Sequence, residues 1–203
     1  VPQIGVITGA CVGTSALVAA TSDFVIMVEG GSYYLDKDGE GGQADILVRD
    51  ETDALDKAKM LLSYLPSNNL SAPPVYENGA VPMGGCAETA DCPAAVSDPG
   101  TLLLLSDDSS CVTAFGQVDG VVCGFVTLSG DTVCCRAAAR VARFVRLCDA
   151  FSLPVLTFVD AAGFKGVNGA AKISQAYAEA TTAKISIITG KAYGPVYIAL
   201  AAK

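Results

Sequence analysis

Two short stretches near opposite ends of the chain carry almost the same arrangement of residues. Residues 3–13 read QIGVITGACVG, and residues 184–194 read KISIITGKAYG. Each predicts a strand that runs into a TGxxxG turn and then into a helix. Free backbone N–H groups at the start of such a helix, together with the helix dipole, can stabilise a negative oxygen. The repeat therefore indicates two oxyanion-binding turns in one chain.

The chain has no histidine, and this limits the chemistry that its side chains could perform. Histidine-based nucleophile triads and histidine-ligated metals are excluded. Eight cysteines occur without C-x-x-C spacing, so we predict no metal in this chain and no disulfide framework. Cys86 and Cys92 are loosely clustered in a loop, and we expect them, like the others, to be small buried thiols in a reducing cytoplasm.

Charge and hydrophobicity narrow the class of protein. The net charge is −8, with 13 basic and 21 acidic residues, which argues against a nucleic-acid-binding protein. Hydrophobic residues make up 51% and charged residues 17%, which indicates a large subunit interface or, alternatively, a membrane-bound partner. No apolar run of about 18 residues predicts a transmembrane helix, and no basic leader opens the sequence. We therefore expect a cytoplasmic protein.

Strand-like and helix-like segments alternate along the chain, which predicts an α/β fold. The predicted strands, including a hairpin that turns at Asp119-Gly120, cover residues 4–8, 23–28, 112–128, 153–160 and 183–189. The predicted helices cover residues 13–21, 50–66, 131–151, 170–182 and a segment that starts at 194. Residues 161–169 are expected to form a glycine-rich loop.

A stretch rich in proline, glycine and alanine at residues 66–100 indicates a domain boundary. We predict a partial N-terminal domain over residues 1–75, a linker over 76–100 and a partial C-terminal domain over 101–203. A hairpin, helices and a strand precede the second glycine turn, whereas one strand precedes the first. We therefore expect both domains to be incomplete, either as a fragment or through loops missing from within the chain.

An internal duplication is the favoured explanation of the two turns. The matched residues are Ile7, Thr8, Gly9 and Gly13 in the first copy and Ile188, Thr189, Gly190 and Gly194 in the second. The alternative is that strand-to-helix junctions favour glycine in general.

Longer stretches carry a more specific pattern: VPQIGVITGACVG and SDFVIMV, LLSYLPSNN with PPVYE, ARFVRLCDAFSLPVLTFVDAAGF, and AYAEATTAKISIITGKAYGPVYIA. In these stretches the chain resembles the biotin-dependent acyl-CoA carboxyltransferases, such as the propionyl-CoA carboxylase beta subunit and the carboxyltransferase subunits of biotin-dependent decarboxylases. The resemblance implies two crotonase-like domains, each a spiral of ββα units. It also implies carboxyl transfer between carboxybiotin and an acyl-CoA, with biotin on a separate carrier protein or biotin carboxylase subunit, and a homo-oligomer whose active site lies at the subunit interface.

The resemblance implies site residues at positions that match the family's motifs. The implied oxyanion donors are Gly13, Thr14 and Val196. The implied biotin-binding residues are Gly163, Phe164, Gly194 and Pro195. Because proline has no N–H, Val196 is the donor predicted in the second turn, alone or with a neighbour. Tyr193 and Tyr197 flank that turn and could line a biotin slot or pack in the core.

Two alternative functions stay open at this point. The first is a non-catalytic scaffold subunit of a biotin-dependent carboxylase or decarboxylase complex, with a membrane decarboxylase included. The second is a biotin-independent, crotonase-type acyl-CoA hydratase, isomerase or decarboxylase. The duplicated turn argues against the second, since one oxyanion hole would serve that chemistry.

Overall fold

The chain divides into two compact units, Val1–Asn68 and Asn69–Lys203, each described here by itself. The computed structural model describes residues 1–77, 84–108 and 110–200. Residues 78–83 of the predicted linker, residue 109 and residues 201–203 of the predicted second domain lie outside the described residues. The predicted domain limits stay a prediction.

The first unit consists of small parallel sheets and two helices. Its elements are β1 (Ile4–Ile7), β2 (Ala10–Val12), α1 (Thr14–Ala20), β3 (Phe24–Val28), β4 (Ser32–Tyr34), β5 (Ile46–Val48) and α2 (Glu51–Tyr64). The strand β3 lies between β1 and β5, and both pairings are parallel. A second parallel pair joins β2 to β4. Residues on both faces of β3 are buried, which explains its non-alternating apolar sequence.

Helix α2 forms within the segment predicted to be helical over residues 50–66. The Asp50 carboxylate accepts a hydrogen bond from the Asp53 amide at 2.8 Å and so caps the helix. The helix ends at Tyr64, because Leu65 precedes Pro66 and adopts an extended conformation.

The second unit is built on one five-stranded sheet. Its elements are a 3-10 turn (Thr89–Asp91), α3 (Cys92–Val96), β6 (Leu103–Asp108), β7 (Cys111–Val118), β8 (Val121–Val133), α4 (Cys135–Ala150), β9 (Val155–Phe164), α5 (Val167–Glu179), β10 (Lys184–Ala192) and α6 (Pro195–Leu200). The strand order is β10-β9-β8-β7-β6. Strand β9 is parallel to β10 and β8, whereas β7 is antiparallel to β8 and β6.

The predicted hairpin is confirmed at β7 and β8. Asp119 and Gly120 have φ values of 52° and 74°, as a two-residue turn requires. The buried carboxylate of Asp98 accepts hydrogen bonds from both turn amides, at 3.2 and 2.9 Å. A residue far from the hairpin in sequence therefore fixes its turn.

Two segments predicted as loops are partly regular. Ala161 to Phe164 continue β9, because Ala161, Gly163 and Phe164 pair with β8. Within the predicted linker, the 3-10 turn and α3 pack on the sheet, where Cys92 joins a core cluster with Phe125 and Phe158. Helix α3 has five residues, too few to show a helical period in the sequence.

The prediction that all cysteines are free thiols is wrong for one pair. Cys86 and Cys92 form a disulfide, since the turn at residues 89–91 brings their Cα atoms to 5.2 Å, within the range that a disulfide spans. The other cysteines are free thiols, and Cys111, Cys123 and Cys148 are buried. Burial, with the charge of Asp98, raises the pKa of Cys123 to about 11, which keeps that thiol protonated and inert.

The described residues contain neither a membrane-spanning helix nor a group of side chains that could hold a metal ion. No helix in residues 1–77, 84–108 and 110–200 has the length and hydropathy needed to cross a bilayer. In the same part of the chain, no three acidic, cysteine or histidine side chains group in a way that could hold a metal ion.

The connection into β10 depends on one carboxylate at the end of α4. Asp149 accepts hydrogen bonds from the amides of Thr181 and Thr182, at 2.6 and 2.9 Å, and from the Thr181 hydroxyl at 3.0 Å. Burial raises the pKa of Asp149, but these hydrogen bonds outweigh it, and its pKa lies below the ordinary value of 3.8. Asp149 therefore holds the start of the strand that carries the second glycine turn.

We predict that Asp149→Ala lowers the free energy of unfolding by on the order of 1 kcal/mol at pH 7, a value reduced by the partial exposure of the carboxylate. Because the pKa of Asp149 is lowered in the folded state, this contribution is present above pH 3.8 and is lost as the pH falls through the folded pKa. Urea unfolding of both proteins at pH 7 and at about pH 3 measures it. An equal difference at both pH values would contradict the assignment.

Candidate active site

The first glycine turn ends in a backbone conformation that requires glycine. Gly13 has φ 61° and ψ −129° and directly precedes helix α1. Its amide donates to the Tyr34 carbonyl at 3.0 Å, and its carbonyl accepts from the Leu17 amide at 3.2 Å. A Cβ built on Gly13 would meet no atom within 4 Å, so the space beside its Cα is open.

Thr14 presents the free amide of this turn. It is the exposed first residue of α1, and within residues 1–77, 84–108 and 110–200 its N–H has no acceptor. The first amides of a helix lack intrahelical partners, which leaves them available to an anionic group. Of the two donors predicted here, the Thr14 amide can therefore donate to a ligand, whereas the Gly13 amide already donates to the Tyr34 carbonyl.

The second glycine turn repeats the geometry of the first. Gly194 has φ 45° and directly precedes helix α6. Its carbonyl accepts from the Ile198 amide at 3.0 Å, as Gly13 accepts from Leu17. A Cβ on Gly194 would also meet nothing within 4 Å. The two sequence copies thus fold into the same strand-to-helix junction.

The donors of the second turn differ from those of the first. Pro195 occupies the first position of α6, where proline is tolerated because that N–H is not needed by the helix. The Val196 amide donates to the Tyr193 carbonyl at 3.0 Å, and its side chain is fully buried. The next amide, of Tyr197, has no acceptor among the residues that the structure describes. The role predicted for Val196 stays a prediction.

The sheet brings the other predicted biotin-side residues to the end of β10. Ala192 pairs with Ala161 of β9. Gly163 lies two residues beyond Ala161, and Phe164 follows it, both half-buried and paired with β8. Because the two strands are parallel, their carboxyl ends meet at one edge of the sheet. The second unit therefore gathers Gly163 and Phe164 at the same edge as Gly194.

The tyrosines that flank the second turn are exposed. Tyr193 is 61% exposed and Tyr197 is 47% exposed, so packing in the core of the unit is not their role. Both aromatic side chains are available to a ligand at the carboxyl edge of the sheet.

Sequence reasoning missed the contacts of three side chains that shape the second turn. The Thr189 hydroxyl donates to the Val159 carbonyl at 3.1 Å, and the Thr89 hydroxyl lies 2.8 Å from it. The Asp160 carboxylate accepts from the Lys191 amide at 2.7 Å. A carboxylate at the end of an apolar strand, in VDAAGF, was the available signal for Asp160. Nothing in the sequence signalled the contact of Thr89, which is long-range.

Comparison with known proteins gives matches to carboxyltransferases. The carboxyl transferase domain model matches residues 108–203. The propionyl-CoA carboxylase beta chain of Saccharopolyspora erythraea is 33% identical, over 100% of this chain and 48% of that protein. The methylmalonyl-CoA decarboxylase subunit alpha of Veillonella parvula is 29% identical, over 98% of this chain and 50% of that protein.

A solved structure agrees along nearly the whole chain. Transcarboxylase 12S, with methylmalonyl-CoA and methylmalonic acid bound, superposes with a TM-score of 0.84 at 28% identity, over 99% of this chain and 49% of that one. The match confirms the predicted crotonase-like α/β fold. The chain spans about half the length of the curated relatives it matches. The Saccharopolyspora alignment runs over 265 residues, although this chain has 203, so that relative carries internal residues that this chain lacks.

We predict that Gly13→Ala is costly and that Gly9→Ala in the same turn is not. The φ of 61° at Gly13 is strained for alanine, and the expected loss is about 1–3 kcal/mol in the free energy of unfolding. Gly9 has no positive φ, and a Cβ there would meet nothing within 4 Å, so its variant should stay within about 0.5 kcal/mol of the parent. Urea unfolding measures both, and equal losses would contradict the described turn.

Proposed function

The chain belongs to the carboxyl transferase family, and on that premise we propose that it takes part in moving a carboxyl group between biotin and an acyl-CoA. The observation that carries the proposal is the repeated glycine turn, with a positive φ at Gly13 and Gly194 and a helix start directly after each. Carboxyl transfer of this kind passes negative charge between two carbonyl oxygens. Two glycine turns whose backbone amides bind a negative oxygen could stabilise this charge, and no histidine is needed.

We assign the first turn to the acyl-CoA. The Thr14 amide has no acceptor among the described residues and stands at the start of α1, so it can donate to the thioester oxygen as the enolate forms. The open space beside Gly13 lets a thioester approach the backbone closely. Because the donor is an amide, its charge state does not change with pH in the physiological range.

We assign the second turn to biotin, with Gly163, Phe164, Gly194 and Pro195 around the ring and Val196 in the turn. Biotin on a carrier would supply the ureido nitrogen that carries the carboxyl group and acts as the base. The residues fit it through the exposed Tyr193 and Tyr197 and through the open Tyr197 amide. The Tyr197 amide is the neighbour that would supplement or replace Val196, whose N–H donates to Tyr193.

The assembly that would contain the chain is also part of the proposal. Transcarboxylase 12S forms a hexamer within a multienzyme core. We infer for this protein a homo-oligomer with its site between subunits, a biotin carrier or biotin carboxylase subunit as partner, and a cytoplasmic location. Carboxylase and decarboxylase relatives favour the carboxyltransferase over the alternatives, although the missing N–H of Pro195 keeps a non-catalytic scaffold as the second candidate.

We predict that Thr14→Pro lowers the turnover of carboxyl transfer from malonyl-CoA or methylmalonyl-CoA to free biotin by about 100- to 1000-fold, because one oxyanion donor is lost. Proline is tolerated at the first position of a helix, and Pro195 already holds the matching position of the second copy. Thr14→Ala is the matched control, since it removes the side chain and keeps the amide. Its turnover should stay within a few-fold of the parent.

Each outcome of this assay is decisive. Equal turnover of Thr14→Pro and Thr14→Ala would contradict the donor role of Thr14. A protein that binds a biotin carrier without turning over either acyl-CoA would replace the proposal with the scaffold function. Turnover of an acyl-CoA that proceeds without biotin would replace it with the biotin-independent function.

A further inference from the structure

A bulge interrupts the pairing of β10 with β9 immediately before the second glycine turn. Ile188 pairs with Val159, and the next pair is Ala192 with Ala161. Three residues of β10 therefore lie opposite a single residue of β9, Asp160. A bulge of this kind bends the strand and leaves main-chain groups without their ladder partners.

Side chains replace the lost main-chain hydrogen bonds on both strands. On β10, the Lys191 amide donates to the Asp160 carboxylate at 2.7 Å. On β9, the Val159 carbonyl accepts from the Thr189 hydroxyl at 3.1 Å. Because the Thr189 proton is used there, the Thr89 hydroxyl is the donor in its contact with Thr189. The bulge is thus held by specific polar contacts on both strands.

The same carboxylate accounts for glycine at position 190. A Cβ built on Gly190 would lie 2.3 Å from an Asp160 carboxylate oxygen, far inside contact distance. Gly9, the matching residue of the first copy, has nothing within 4 Å of its ideal Cβ. A side chain at 190 would therefore have to displace the Asp160 carboxylate, whereas a Cβ at position 9 would displace no neighbouring atom.

We propose that Asp160 is a positioning residue, which sets the path of the second glycine turn by holding the Lys191 amide and by excluding a side chain at position 190. Lys191 precedes Gly194 by three residues, so the orientation of its peptide determines how the chain enters α6. The inference rests on the proposed function in one respect, namely that this turn receives biotin. The contacts that carry it are independent of that assignment.

The variants separate this role from the charge of the carboxylate. Asp160→Ala removes the acceptor, whereas Asp160→Asn keeps a side-chain oxygen that can accept from Lys191. Asp131→Ala is the matched control, because Asp131 forms an ion pair with the ammonium group of Lys191 at 3.2 Å and does not accept from the Lys191 amide. The Asp131 carboxylate is 88% exposed, so the loss of this ion pair should have little effect.

The first measurement is hydrogen exchange of the Lys191 amide in the full chain. Loss of a hydrogen bond to a carboxylate should accelerate exchange roughly ten-fold or more in Asp160→Ala, and both Asp160→Asn and Asp131→Ala should stay close to the parent. Unchanged exchange in Asp160→Ala would overturn the proposal.

The second measurement is a double-mutant cycle with Gly190→Ala, read by the midpoint of thermal unfolding. Gly190→Ala should lower the midpoint in the parent and have a much smaller effect when Asp160 is alanine, because the clash is gone. An equal effect of Gly190→Ala in both backgrounds would overturn the proposal.

The third measurement tests the link to function through the kinetic constants of carboxyl transfer. Asp160→Ala should raise KM for biotin about ten-fold, leave KM for the acyl-CoA unchanged, and be rescued by Asp160→Asn. Unchanged KM for biotin with accelerated Lys191 exchange would overturn the positioning role. A parent without turnover would instead count against the proposed function, and the exchange rates and the cycle would still decide the role of Asp160.

Discussion

The constraint on which the candidate site depends is a positive φ at a strand-to-helix junction. At Gly13 the chain passes from a parallel strand into a short helix within one residue, and at Gly194 it does so within two. Side chains are strained in that conformation, so glycine is required at both places. The space beside each glycine is open, and the amides of Thr14 and Tyr197 have no acceptor among the described residues. Backbone amides, rather than ionisable side chains, are therefore the groups that can bind a negative oxygen at these turns.

The two copies of this junction are alike in geometry and different in donors. The first ends in Thr14, whose amide is open, and the second ends in Pro195, which has none. The second copy lacks the amide of its first helical residue but has other groups nearby. These are the bulge held by Asp160, the strand residues Gly163 and Phe164, and the exposed Tyr193 and Tyr197. The two copies of the turn thus have different neighbouring residues. This difference is consistent with the proposal that one turn binds the thioester carbonyl of the acyl-CoA and the other the ureido carbonyl of biotin.

Local patterns predicted the parts of the fold that local chemistry determines. The position of the Asp119-Gly120 turn and the existence of helix α2 could be predicted, because a turn dipeptide and a helical pattern are local signals in the sequence. Contacts between distant residues could not be predicted. Residues 161–164 form strand because they pair with β8, and the distant Asp98 holds the hairpin turn. The hydrogen bond from the Val196 amide to the Tyr193 carbonyl is local, but it was not predicted either. The Cys86–Cys92 disulfide likewise depends on a turn that the sequence did not signal.

The central claim is that a main-chain amide, and no side chain, binds the oxygen of the acyl-CoA in the first turn. The most direct test is the Thr14 amide resonance in protein labelled with 15N-threonine, recorded during titration with propionyl-CoA. The account predicts that the Thr14 resonance moves as the complex saturates and that those of Thr181 and Thr182, whose amides already donate to Asp149, do not. Saturable binding that leaves the Thr14 resonance unmoved would contradict the account.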